Sequence, residues 1–356
     1  MLFSVQWLAP TLTYQTKRSV FIPMRHTVWT GPHYEAGRQQ GALLRTENRP
    51  FSSLFGPLSL ERSAYATACI PIYEQQAPAL LDELRGLADG AQIPFADAAA
   101  FLLGMYAFPA GNGCTCFAVD TGDDVIFGRN SDFLTAFAPL YEHCHYSLTN
   151  AYSFSGNTTA FSEMEDGVNE YGLAVGMTFV YPTVCRPGLH AGYLVRHLLE
   201  HCKTTEEAIS ELSHLTIGSS QTLTLADASG QIAVAECNAE RLTIRRPVPG
   251  TQGAAAVNDF RTPEMSPFRY DRTDDLHSGL RWQTATRCLR ENQIHSLKDA
   301  CALLSGKYGF LCQYDRTQGF DTVWSVACTL RSRQLLLCEG NPAKNPFREL
   351  PFPSAQ

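Results

Sequence analysis

GNGCTCFAVD at residues 111–120 and VIFGRNSD at residues 125–132 decide how this chain reads. Both hold apolar, β-rich runs, and T121-G-D-D124 between them is a hairpin signal. Helical patterns precede this hairpin and strands dominate after it, so a new layer of structure begins at Cys114. Two cysteines stand one residue apart at its start. Alternation along a strand puts Cys114 and Cys116 on the same face. Residue type alone leaves four roles open for Cys114: metal ligand, half of a redox pair, packed core thiol or nucleophile.

Upstream, HTVWTG (26–31) reads as a short strand and a helix starts at about Tyr34. Leu80, Leu81, Leu84 and Leu87 mark one helical face within residues 72–90, with Gly90 as the expected C-cap. PFADAAAFLLG is a further helix ending at Gly104. Downstream, TAFSEMEDGVNE and LAVGMTFVY pair around Glu170-Tyr-Gly. Two helices follow, over about 190–201 and 205–214. QTLTLAD and QIAVAEC form the next hairpin, followed by ERLTIRR and AAAVNDF. Helices return at about 277–291 and 297–305, and TVWSVACTL with QLLLCEG closes the chain. This order predicts α+β, with helices packed on antiparallel sheets.

The 356 residues allow one large domain or two ordinary ones. With 44% hydrophobic and 18% charged residues, the composition is that of a globular protein with a sizeable core. A net charge of -7 without a basic run argues against a nucleic-acid partner. No apolar run reaches bilayer length, which argues against a membrane partner. The first nineteen residues lack the basic n-region of a signal peptide, so the expected compartment is the cytoplasm. Met24 is a candidate natural start, since organised pattern begins just after it. The twelve cysteines show no C-x-x-C and no zinc spacing, so most are expected as reduced thiols and no metal is expected. H-E-x-x-H and G-x-S-x-G are absent, against a metalloprotease and an α/β-hydrolase.

Three features raise the nucleophile reading. Gly111 and Gly113 precede Cys114 and leave the backbone free for close approach to a peptide bond. The hairpin returns Arg129 and Asp132 toward the strand start. Both are charged, yet they end an apolar strand. GCTCFAVDTGDDVIFGRNSDF, together with GPHYEAGRQQG, LLDELRGLADG, DGVNEYGLAVG, VNDF, HSGLRW and VWSVACTL…CEGNP, resembles the N-terminal nucleophile hydrolases of the linear-amide type. The resemblance covers most of the chain and is nearest to the self-cleaving branch of acyl-coenzyme A:6-aminopenicillanic acid acyltransferases, with the choloylglycine hydrolases and penicillin V acylases beside it.

The resemblance implies a four-layer αββα sandwich, two antiparallel sheets with helices outside. It implies that Cys114 is the nucleophile, exposed by self-cleavage of Gly113–Cys114. Arg129 would contact the thiolate, Asp132 the new α-amine and Asn258 the oxyanion. Arg281 matches a late active-site Arg, with Arg287 as a nearby competitor. Thr178 stands where the bile-salt branch carries Asn, so the second oxyanion donor is expected from its hydroxyl or from the backbone of Thr115 or Cys116. An α-amine with a pKa of about 7.7–8.0 gives a terminal cysteine its own base. Arg129 would lower a thiol pKa from about 8.5. Phe133, Phe137, Tyr141, Phe179 and Tyr181 are candidates for a substrate pocket, and plain core packing is the competing role for each.

The expected organisation is an extension (1–25), a mainly helical segment (26–113) that stays bound after cleavage, and a catalytic core (114–356), all in one structural unit. The expected partner is a small N-acyl amide. No cofactor is expected, acyl-coenzyme A is a candidate co-substrate, and a homo-oligomer is left open. Two other classes compete: an unprocessed binding or sensor protein on the same scaffold, and a metal or redox protein using Cys114 and Cys116.

Overall fold

The computed structural model describes residues 22–47, 58–107, 113–270 and 276–354. Gly111 and most of the expected N-terminal extension lie outside these described residues. β2 (Gly113–Asp120) and β3 (Val125–Leu134) form the hairpin read from the sequence. The Thr121 N–H donates to Asp124 O at 2.9 Å to close the turn. Gly122 takes a φ of 86°, a left-handed conformation that favours glycine. Ser131 faces Cys114, Asp132 faces Gly113 and Arg129 faces Cys116. Period-two alternation then puts Arg129 on the face of the two cysteines and Asp132 on the other. The hairpin thus delivers its two charges to opposite sides of the strand start.

β2 and β3 belong to a six-stranded sheet, ordered β11-β2-β3-β12-β13-β14. Its other strands are β11 (Gly253–Ala256), β12 (Phe320–Thr329), β13 (Gln334–Glu339) and β14 (Arg348–Leu350). An eight-stranded sheet lies against it, ordered β1-β4-β5-β6-β7-β8-β9-β10. That sheet contains β1 (Arg25–Gly31), β4 (Glu142–Leu148), β5 (Phe154–Thr158), β6 (Asp166–Asn169), β7 (Ala174–Phe179), β8 (Gln221–Ala226), β9 (Ile232–Cys237) and β10 (Leu242–Arg245). All pairings are antiparallel except β1 with β4. This departs from the purely antiparallel expectation: β1 reaches its partner across more than a hundred residues, so no hairpin sets its direction.

Alternating side chains build two cores on the six-stranded sheet. Cys116, Ala118 and Phe127 meet Val168, Ala174 and Val234 between the sheets. Phe117, Val119 and Ile126 point the other way, under α7 (Ser278–Arg290) and α8 (Leu297–Leu304). On the far side of the eight-stranded sheet, α5 (Ala191–His201) covers β6 and β7, and α6 (Thr205–Leu212) covers β8 and β9. The architecture is therefore an α+β sandwich of four layers, αββα.

The N-terminal helices are α1 (His33–Thr46), α2 (Leu60–Gln76), α3 (Pro78–Ala91) and α4 (Phe95–Leu102). The continuous helix expected over 72–90 is broken at Ala77, where Pro78 opens α3. Gly90 is not a cap. It lies inside α3, which ends at Gln92 with φ 57°. Gly37 and Gly41 of α1 meet Gly86 and Gly90 of α3 backbone to backbone, and a Cβ on Gly86 would stand 2.0 Å from Tyr34 O. A buried ion cluster joins these helices to the rest: Arg196 of α5 donates to Glu83 of α3 at 2.7 Å, and Glu200 faces His33 at 3.3 Å. Desolvation opposes the charge on His33, yet hydrogen bonding and attraction to Glu200 raise its pKa overall. Among the described residues, no helix is long and apolar enough to cross a membrane.

Candidate active site

Cys114 is completely buried and held at three of its atoms. Its Sγ accepts from Arg129 Nη2 at 3.0 Å. Its backbone N–H donates to Asn258 Oδ1 at 2.8 Å. Its carbonyl oxygen accepts from Arg281 Nη1.

The bond to Asn258 follows from sheet geometry. Ala256, the last residue of β11, pairs with Cys116. Past it the strand ends, and two residues on, the Asn258 carboxamide takes the N–H of Cys114. Asn258 Nδ2 donates to Phe179 O at 2.8 Å, and Oδ1 also accepts from Arg281 Nη2 at 2.9 Å. Asn258 therefore presents an acceptor to Cys114, not the donor expected for an oxyanion. Thr178 differs as well. Its hydroxyl donates to Val257 O at 2.7 Å and meets Thr222 Oγ1 at 2.7 Å, which commits its single hydrogen.

Arg129 is buried between the sheets with its donors aimed by four acceptors. Nε donates to Met177 O at 2.8 Å, Nη1 to Asp166 Oδ2 at 2.7 Å, and Nη2 to both Glu165 Oε2 at 2.8 Å and the Cys114 sulfur. Ser131 and Thr159 also donate to Glu165, while Asn157 and Trp324 donate to Asp166. One cation thus faces two carboxylates as well as a thiol. The thiol responds accordingly: burial pushes Cys114 up to about 12, Arg129 works against this, and Glu165 and Asp132 add to it. This corrects the expectation of a lowered thiol pKa. The Arg129 effect has the expected sign, but desolvation outweighs it. Nearby Glu163 is raised to about 8, first by burial and then by Glu165. It accepts from Tyr106 and Thr158, each at 3.0 Å.

On the other face of β3, Asp132 accepts from Thr322 at 2.6 Å and Tyr314 at 3.0 Å, and stands 4.0 Å from Arg281. Burial raises its acid to about 6, with Arg281 the largest opposing influence. Arg281 Nη1 also donates to Thr115 Oγ1 at 3.0 Å. Arg287, the competing candidate, donates to Tyr308 O instead.

The fold therefore brings together Gly113, Cys114, Thr115, Arg129, Asp132, Asn258 and Arg281. The aromatic candidates divide into two groups. Phe133 stacks on Phe137 at 5.3 Å, and Tyr141 meets Trp324 edge-on at 5.6 Å. Phe179 meets Tyr181 at 5.2 Å, and Tyr181 stacks on Tyr270 at 5.4 Å. The sequence reading missed Glu165, Asp166, Tyr314 and Thr322. The run E163-M-E-D166 carried a signal, since three acids in an apolar strand region need buried partners. Among the described residues, no group of three His, Cys, Asp or Glu side chains is arranged to hold a metal.

Comparison with known proteins places the chain. Among solved structures it is similar to the Caenorhabditis elegans ortholog of N-acylethanolamine-hydrolyzing acid amidase, at 18% identity and TM-score 0.46, covering 61% of this chain and 93% of that one. It is similar to penicillin V acylase from Agrobacterium tumefaciens, at 15% identity and TM-score 0.45, covering 64% and 82%. It is also similar to a mutant of conjugated bile acid hydrolase from Clostridium perfringens, at 14% identity and TM-score 0.44, covering 68% and 98%. Among curated proteins none matches. The sequence model of one family matches residues 119–344, more than half of the chain, starting just after Cys114 and spanning Arg129, Asp132, Asn258 and Arg281. The chain belongs to that family, the acyl-coenzyme A:6-aminopenicillanic acid acyl-transferases, and so to the N-terminal nucleophile hydrolases, a class of enzymes acting on amide bonds.

Proposed function

We propose that this protein is a self-processing cysteine enzyme that breaks or exchanges the linear amide C–N bond of an N-acylated small molecule through a thioester on Cys114. One observation carries the reading: two guanidinium groups and a carboxamide converge on the sulfur, nitrogen and carbonyl oxygen of the residue after Gly113.

Maturation comes first. Cys114 Sγ attacks the Gly113 carbonyl carbon. A C–S bond forms, the C–N bond breaks, and the thiol proton ends on the departing nitrogen. Water then cleaves the thioester, releasing Gly113 as a carboxylic acid and restoring the thiol. Asn258 Oδ1 suits both states of that nitrogen, because an acceptor serves an amide N–H and an amine alike. The catalytic core becomes residues 114–356. The helical segment, 26–113, stays docked through the Glu83–Arg196 ion pair and the Tyr73–Tyr193 contact.

Turnover repeats the chemistry on a substrate. The free α-amine, with a pKa of about 7.7–8.0, takes the thiol proton during attack and returns it to the leaving amine. A thiol held near 12 needs such a base beside it, because few thiolates stand ready at neutral pH. Asp132 orients the amine. Arg281 and the backbone N–H of Thr115 offset the charge of the tetrahedral oxyanion, work typically worth about 3 kcal/mol per donor. No cofactor is needed. Acyl-coenzyme A serves as acyl donor if the enzyme transfers rather than hydrolyses. Twelve unpaired cysteines suit the cytoplasm.

Intact mass under denaturing conditions tests this reading. The expected result is two pieces divided before Cys114, and one uncleaved, inactive chain for Cys114→Ala. Cys116→Ala should still cleave, with reduced stability. A wild-type chain that stays whole on prolonged incubation refutes self-processing.

A further inference from the structure

An unbroken run of aromatic rings leads from the surface to Gly113. Phe320 meets Tyr314 at 5.0 Å, Tyr314 meets Phe310 at 5.4 Å, and Phe310 meets His277 at 4.8 Å, each edge to face. The first three rings are half-buried and His277 is exposed. None of them belongs to the hydrophobic cores of the described residues, so core packing does not account for the run. Its inner end touches the reacting bond: a Cβ on Gly113 would lie 3.5 Å from Phe320 Cζ. The Tyr314 hydroxyl, bonded to Asp132, fixes the ring in the middle.

Position becomes chemistry through the thioester, and this step rests on the function proposed above. In the maturation thioester the acyl group is Gly113 itself. Transfer from nitrogen to sulfur of one residue passes through a five-membered ring, so the acyl α-carbon stays against Phe320. A substrate acyl group on the same sulfur occupies the place that Gly113 leaves. We infer that the run from Phe320 to Phe310 is the acyl subsite of the mature enzyme, and that it takes an aryl-substituted acyl group such as an arylacetyl. Edge-to-face rings leave faces and edges for one more ring, and aromatic pairs gain beyond simple burial. The charges at the inner end, Asp132 and Arg281, face each other at 4.0 Å, so the subsite does not ask for a charged acyl group.

The test times acyl transfer from p-nitrophenyl esters to Cys114 by intact mass, using the mature two-piece protein. In each reaction a C–S bond forms, the ester C–O bond breaks, and p-nitrophenol carries away the thiol proton. Relative to free cysteine, the phenylacetyl ester should outpace the acetyl ester by about tenfold, within the range one well-filled apolar subsite gives. Phe320→Ala should remove most of that preference. Phe310→Ala, further out, should do so for 4-phenylbutyryl but not for phenylacetyl. A phenylacetyl-to-acetyl ratio equal to that of free cysteine, or one unchanged by Phe320→Ala, overturns the subsite. A preference for octanoyl over phenylacetyl overturns the aryl assignment. Absence of any adduct on Cys114 overturns the thioester reading and the subsite together, whereas unselective adducts overturn the subsite alone.

Discussion

Replacing Asp132 by Asn in a Cys114→Ala background isolates the stability effect of one buried acid, because the chain stays whole. Asp132 has no exposed surface, and burial lifts its acid from 3.8 to about 6. At pH 8 it is ionised in both the folded and unfolded states. Keeping it ionised in the fold then costs about 3 kcal/mol, at 1.36 kcal/mol per pKa unit. The sign follows from linkage. The folded value exceeds the unfolded one, so this carboxyl's stabilising contribution is complete below about pH 4 and is lost as pH rises through about 6. Asn removes the charge but offers one acceptor oxygen where Thr322 and Tyr314 now use two, a loss of about 1 kcal/mol. The double variant should therefore be more stable than Cys114→Ala by about 2 kcal/mol at pH 8, and slightly less stable at pH 4. Urea unfolding at pH 4, 6 and 8 measures this. A double variant less stable at pH 8, or a difference that does not change with pH, refutes the reasoning.

Three further substitutions test separate parts of the structure. Thr178→Val breaks the hydroxyl link between Thr222 and Val257 O and should cost about 1–3 kcal/mol in urea unfolding. It should leave the self-cleavage rate within a few fold, where loss of an oxyanion donor would slow it by about a hundredfold or more. Glu83→Ala strands the fully buried Arg196 and should destabilise the fold by about 3–5 kcal/mol, visible as a lowered melting temperature. Gly86→Ala would push a methyl to 2.0 Å from Tyr34 O, so α1 and α3 must separate; a loss of at least about 2 kcal/mol is expected.

What the sequence made legible was local. Apolar runs around a tight turn specified the β2–β3 hairpin, and periodicity specified α5 to α8. The resemblance brought out Arg129, Asp132, Asn258 and Arg281, which the fold gathers around one cysteine. What stayed hidden depends on register and distance along the chain. Glu165 and Asp166 meet Arg129 only because the two sheets stack face to face. Tyr314 and Thr322 reach Asp132 from more than 180 residues away, and no spacing rule connects them. The acceptor role of Asn258 arises because β11 ends one pair short of Cys114. Gly90 misled because a glycine near a helix end serves a close helix crossing as readily as a cap.

β2 lies between two neighbours, with β3 bonded along its whole length and β11 covering Cys116 to Val119. A chain end created at Cys114 is therefore clamped from both sides from the moment it forms. Ordinary termini fray, but this one has no slack to do so. A cut there alters connectivity without loosening the sandwich, and the new amine appears in a place already built to receive it.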